Sequence, residues 1–167
     1  MNNFFSKGVF KAVCKNQDGS VAWEQSFSNG TTDEGRTYMQ EAAFKSGSQE
    51  SLWYIGLIST SSFTALSTLD TAATHSGWVE NASYSETTRR QWDVGTPVSS
   101  AGTTTVTSGS PAVFTASGST SIKGAFLISS ATKSGTTGVL WATGTFIADQ
   151  PLNLGQTLSI TYQTSLT

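Results

Sequence analysis

From Thr103 to the end, β-branched and aromatic residues alternate with Ser, Thr and Gly in one short run after another, and this restricts the fold more than any other feature. The runs are 103–107, 112–116, 121–129, 138–147 and 157–164, each bounded by Gly, Ser, Pro or Asn. Strands at such spacing, separated by turn residues and not by helices, build a sandwich or jelly roll rather than a parallel sheet. The expected fold is therefore all-β: an antiparallel, jelly-roll-like β-sandwich with one short helix near residues 32–45. No fixed-period repeat is present.

Composition agrees. Ser and Thr together fill about 50 positions, Gly fills 16, and only 12% of residues are charged. That mixture suits disorder only where large apolar side chains are scarce. Here nine Phe, five Trp and four Tyr supply a core, each ring burying on the order of 150–250 Å². The net charge of −2 and pI near 5.2 leave no basic footprint for nucleic acid, and the densest basic pair is Arg89-Arg90. The longest apolar stretch, 52–58, contains Gly56 and is far short of the ~20 residues of a spanning helix, so no membrane partner is expected. Lys7 and Lys11 interrupt the start, which does not read as a secretory leader. Cys14 is alone, which excludes an intrachain disulfide and suits a small buried residue in a strand.

Along the chain, residues 1–7 read as an arm carrying Asn2, Asn3, Phe4 and Phe5, and 8–167 as a single sandwich domain. Residues 8–15 and 21–27 form a hairpin across the turn residues Asn16-Gln17-Asp18-Gly19. Thr31-Thr32-Asp33-Glu34 fits a capping box with Thr31 as N-cap, and Tyr38, Met39, Ala42 and Ala43 recur at helical spacing. Gly35 weakens the first turn, Gly47 ends the helix, and the helix covers an open end of the sheet. The run 52–58 reads as a strand buried on both faces, 59–67 as a polar loop, and 87–94 as a further strand.

Residues able to carry chemistry are few. Asp70, His75 and Glu80 stand at intervals of five and have the donor types of a zinc or non-haem iron site, but the spacing matches no standard metal motif. Their simpler role is structural, with Asp70 capping a short turn and His75 and Glu80 bonded to nearby backbone or to Arg89. His75 is the only histidine, and no Gly-x-Ser-x-Gly elbow accompanies it. Glu24, Glu80, Asp93 and Asp149 are the acids available to a glycoside-cleaving pair. Trp53 and Trp141 sit in apolar surroundings and read as core. Core or loop anchor is the default for all five tryptophans; Trp78 and Trp92, lying among polar neighbours, are the pair that could instead be exposed and stack on sugar rings. Asn29-Gly30-Thr31 and Asn81-Ala82-Ser83 match the glycosylation pattern, which has no meaning without export.

Taken together, Asp70-Thr71, His75-Ser76-Gly77-Trp78-Val79-Glu80, Tyr84, Arg89-Arg90 and Trp92 resemble small virion proteins of tailed bacteriophages. The likeness continues through Lys123-Gly124-Ala125-Phe126-Leu127, Gly138-Val139-Leu140 and Gly155 to Tyr162, and includes Gly19-x-Val21-x-Trp23. The resemblance implies a non-enzymatic head-decoration, or cement, protein on the capsid exterior of the virion. Its partner would be the major capsid protein, its state a dimer or trimer, and its cofactors none. Asp70, His75, Trp78 and Glu80 would then form a structural loop, held by Asp70 and Glu80 while Trp78 buries its ring, and Asn2 to Phe5 a capsid-docking arm. The alternative is a tail or fibre module that binds host-surface glycan through Trp78 and Trp92. A hydrolase using Glu24 or Glu80 is the third class.

Overall fold

The computed structural model describes residues 6–167. In chain order its first elements are β1 (Ser6–Lys15), β2 (Val21–Thr31), α1 (Asp33–Phe44), β3 (Tyr54–Ser59), β4 (Glu80–Asn81) and β5 (Arg90–Gln91). There follow β6 (Val98–Ser100), β7 (Thr103–Thr107), β8 (Ala112–Thr115), β9 (Thr120–Ile128), β10 (Leu140–Leu152) and β11 (Thr157–Leu166). All pairings among them are antiparallel.

The β1–β2 hairpin closes through residues 16–20, where Gly19 takes φ +84° and the Asp18 carboxylate accepts hydrogen bonds from the Ser20 amide and hydroxyl. β11 runs along the other side of β1 for its whole length, from Ser6 opposite Leu166 to Lys15 opposite Thr157. Beyond β11 lie β7 and β8, end to end, with β6 outside β7. The second layer is β3, β9 and β10, with β4 and β5 sharing the outer edge of β3. β2 joins the layers, because its last residues Gly30 and Thr31 turn to pair with Thr143 and Ala142 of β10. The result is an all-β sandwich with a shared corner strand.

Phe10, Ala12 and Cys14 of β1 and Leu158, Ile160 and Tyr162 of β11 meet Ile55, Leu57, Ala125 and Leu127 of the opposite layer in the main core. A second core lies on the outer face of β3 and β9. There Ile58, Phe126 and Ile128 are covered by Ala72 and Trp78 of the segment between β3 and β4. The both-face burial expected of 52–58 therefore holds from Ile55 to Ile58, whereas Leu52 lies outside the strand and is exposed.

Three local expectations change. The helix N-cap is Thr32, because Thr31 is still paired in β2; the Thr32 hydroxyl accepts from the Gly35 amide at 3.0 Å and donates to the Leu140 carbonyl. Glu34 consequently does not close a capping box. Its carboxylate accepts from the amides of Ala72 at 2.9 Å and Leu140 at 2.7 Å, tying the helix start to the segment after β3 and to β10. The strand expected over 87–94 shrinks to Arg90–Gln91, since Arg89 turns inward and is buried. Finally, Ser6 and Lys7 of the expected arm already belong to β1, opposite Leu166 and Ser165, while Asn2, Asn3, Phe4 and Phe5 lie outside the described residues.

Candidate functional site

Two places gather the residues singled out by chemistry. The first is the corner between β3 and β5. The Asp70 carboxylate accepts from the Trp78 indole N–H and from the Ser67 amide, both at 2.9 Å. The His75 ring stacks on Trp78 with centroids 4.0 Å apart and planes at 19°. Its Nδ1 is 3.0 Å from the Trp78 carbonyl oxygen, which can only accept, so Nδ1 carries the proton. Glu80 makes a buried ion pair with Arg89 at 2.8 Å, both side chains less than 5% exposed. The Arg89 Nε also donates to Glu80, and the Ser134 amide donates to the same carboxylate at 2.7 Å. The remaining guanidinium donors reach the carbonyls of Ser130 and Gly135. Two desolvated charges are tolerable only when their hydrogen bonds are completed in this way.

Asp70, His75 and Glu80 thus lie in one region with three separate jobs: Asp70 holds the Trp78 indole, His75 the Trp78 carbonyl, and Glu80 the Arg89 guanidinium. His75 and Glu80 both line a cavity of about 190 Å³ whose walls are otherwise mainly apolar. Among the described residues no group of three or more His, Cys, Asp or Glu is arranged to hold a metal ion. The acids considered for glycoside cleavage are distributed over separate elements. Glu24 on β2 pairs with Lys11 at 2.8 Å, and Asp149 on β10 with Lys123 at 2.7 Å.

Trp78 and Trp92, the pair considered for stacking on sugar rings, are both buried, the default reading for the tryptophans. Trp78 is 2% exposed and Trp92 6%, so neither ring face is open to a sugar. Asp70 satisfies the Trp78 indole and the Ser108 hydroxyl satisfies that of Trp92 at 2.9 Å, so both rings can be buried at no polar cost. Trp78 packs between His75 and Phe126, and Trp92 sets its edge against Tyr162. Trp53 and Trp141, expected in the core, are only partly buried.

These last two rings define the second place, an apolar groove at one end of the sandwich, about 420 Å³ in volume. Tyr38, Met39, Ala42 and Ala43 of α1 form one wall; Trp53, Trp92, Trp141, Leu127 and Val106 form the other. Tyr38 meets Trp53 edge-to-face at 5.5 Å, and Trp53 meets Trp141 at 5.9 Å. The start of α1 is held closely to β10. There Gly35 lies against the Trp141 backbone, so closely that an added Cβ would stand 2.7 Å from the Trp141 carbonyl oxygen. The later apolar turns of the helix face the groove, and Phe44 at its end is 80% exposed. Gln49, Glu50 and Thr164 supply the polar rim, and the Glu50 amide donates to the Tyr38 hydroxyl at 2.6 Å. Behind the groove the Tyr162 hydroxyl is buried among Asn29, Trp141 and Thr164, and burial pushes its pKa up to about 12. The helical periodicity of Tyr38, Met39, Ala42 and Ala43 marks one wall of this groove, but not the other, whose rings come from the residue before β3 and from β10.

Compared with known proteins, the chain matches no family model, no curated protein and no solved structure.

Proposed function

We propose that this chain is a non-enzymatic structural protein of a tailed-phage particle, a head-decoration protein that binds the assembled shell through the major capsid protein. The observation that carries the proposal is the aromatic groove beside the start of β1, a surface suited to receiving another apolar segment rather than to moving protons. The residues with the most chemical potential, Asp70, Glu80 and Arg89, are engaged in holding the corner together. The outer face of the β1–β2–β11 layer is rich in Ser, Thr and Lys, as suits a part exposed on a particle. A protein that binds the assembled shell and not its free subunits stabilises the shell by mass action. The glycan-binding alternative receives no support from Trp78 or Trp92, whose faces are covered.

The test is add-back to particles stripped of the protein. Full-length chain is expected to saturate them, and the double variant Phe4→Asp/Phe5→Asp to bind at least tenfold more weakly with an unchanged circular dichroism spectrum. Equal binding by the variant removes the arm from the docking surface; failure of the unaltered chain to bind any shell overturns the proposal.

A further inference from the structure

We propose that the cleft at β5 and the start of β8 is a binding site for a carboxylate, with the Arg90 guanidinium as its anchor. Arg89 and Arg90 are neighbours in the chain and meet opposite surroundings. Arg89 turns inward and is neutralised by Glu80 at 2.8 Å. Arg90 opens β5 opposite Ile55 of β3 and stays half-buried at the wall of a cleft of about 430 Å³. Among the described residues the ion pairs are Lys11–Glu24, Arg36–Asp33, Arg89–Glu80 and Lys123–Asp149, and Arg90 enters none of them. Its Nε is buried and has no hydrogen-bond partner. A buried donor on a charged group is costly to leave unmade, so an acceptor entering from outside is favoured here.

The surroundings select the ligand. Tyr54, Thr88 and Gln91 bring neutral hydrogen-bonding groups to the cleft, Pro111 and Ala112 bring an apolar wall, and no Asp or Glu lines it. The acids nearest in the chain are engaged elsewhere: Glu86 accepts from the Thr115 amide, Asp93 lies against Gly109, and Glu80 is held by Arg89. One positive charge is therefore left without a partner. The planar fork of a guanidinium matches the two oxygens of a carboxylate. A phosphate would set about two negative charges against that one, whereas a carboxylate sets a single charge. The apolar wall suits the short aliphatic stem of an organic acid. The cleft shares no residue with the aromatic groove, so this proposal and the particle assignment can fail separately.

The test is a titration of the full chain followed by proton–nitrogen correlation spectroscopy. The arginines are Arg36, Arg89 and Arg90, so the Nε–H region holds three signals, assigned with Arg90→Gln. The probes are sodium propionate, a carboxylate free in solution, N-acetylglutamate α-methylamide, a carboxylate carried on a peptide unit, and sodium phosphate, each against sodium chloride at equal ionic strength. A carboxylate probe is expected to move the Arg90 signal saturably while those of Arg36 and Arg89 hold still. Arg90→Gln, with an unchanged circular dichroism spectrum, is expected to bind at least tenfold more weakly, read at the backbone amides of Thr88 and Gln91. Tighter binding of the blocked glutamate assigns the carboxylate to a docked chain, and equal or tighter binding of propionate assigns it to a free acid. The proposal is overturned if neither carboxylate moves the Arg90 signal of the unaltered chain, if phosphate binds as tightly as the carboxylates, or if Arg90→Gln binds with unchanged affinity.

Discussion

At the scale of single residues, the heaviest demands fall on polar groups that the core cannot leave unpaired. Arg89 serves the Glu80 carboxylate and two carbonyls while its guanidinium lies 5.2 Å from the Phe126 ring. Removing one partner of such a pair strands the other, so Arg89→Met is expected to destabilise the fold by about 3–5 kcal/mol, measured by urea denaturation. The exposed Lys11–Glu24 pair supplies the contrast, and Lys11→Met is expected to leave the midpoint nearly unmoved. A second expectation concerns alkaline pH. Burial raises the Cys14 thiol from 9.0 to about 11, and it also raises the hydroxyls of Tyr84 and Tyr162. As pH rises past 9 the unfolded chain loses the thiol proton first, so the stability this group contributes is complete below 9 and is lost by about 11. Denaturation midpoints across pH 8–11 are expected to fall, with Cys14→Ala delaying the onset to the range where the tyrosines begin to ionise. An identical profile for that variant would show that the thiol ionises alike in both states. Cys14 was readable from sequence as a buried strand residue because strand alternation is local. For Trp78 and Trp92 the sequence left burial and exposure both open, because their hydrogen-bond partners, Asp70 and Ser108, lie 8 and 16 residues away.

At the scale of elements, α1 carries the clearest conflict between local preference and packing. Gly in a first turn is worth about 1 kcal/mol less than Ala by helix propensity. In the fold, however, the missing Cβ lets α1 approach β10, where an added methyl would stand 2.7 Å from the Trp141 carbonyl oxygen and 2.9 Å from its Cα. Gly35→Ala is therefore expected to lower stability, the reverse of the propensity ranking, and a raised melting temperature would contradict the close approach. The strands were legible wherever alternation and turn residues coincide: β7 spans 103–107 as expected, and β8, β9 and β11 differ by only a residue or two. β10 runs on to Leu152 because a register shift between Thr145 and Gln150 lets it continue beside β9, and alternation alone does not reveal a bulge. The shift of the N-cap from Thr31 to Thr32 follows from the same kind of non-local event, the pairing of Thr31 with Ala142.

At the scale of the whole molecule, the sandwich follows from the strand-rich second half, while the two-core arrangement and the groove arise only when distant segments meet. The segment between β3 and β4 begins as the polar loop expected over 59–67, then inserts Trp78 over Phe126 and closes a second core. The groove takes Tyr38, Trp53 and Trp141 from distant parts of the chain, so the periodicity of α1 announces one wall and nothing local announces the other. What results is a sandwich with a polar outer layer, a buried charge pair bracing one corner and an aromatic recess at one end, to which the proposed function assigns docking. The most direct measurement of that role is the copy number of the chain in purified particles, by quantitative mass spectrometry against the main shell protein. A decoration protein is expected at a one-to-one or other simple ratio, on the order of hundreds of copies, as lattice symmetry requires. A handful of copies, or none, would contradict it.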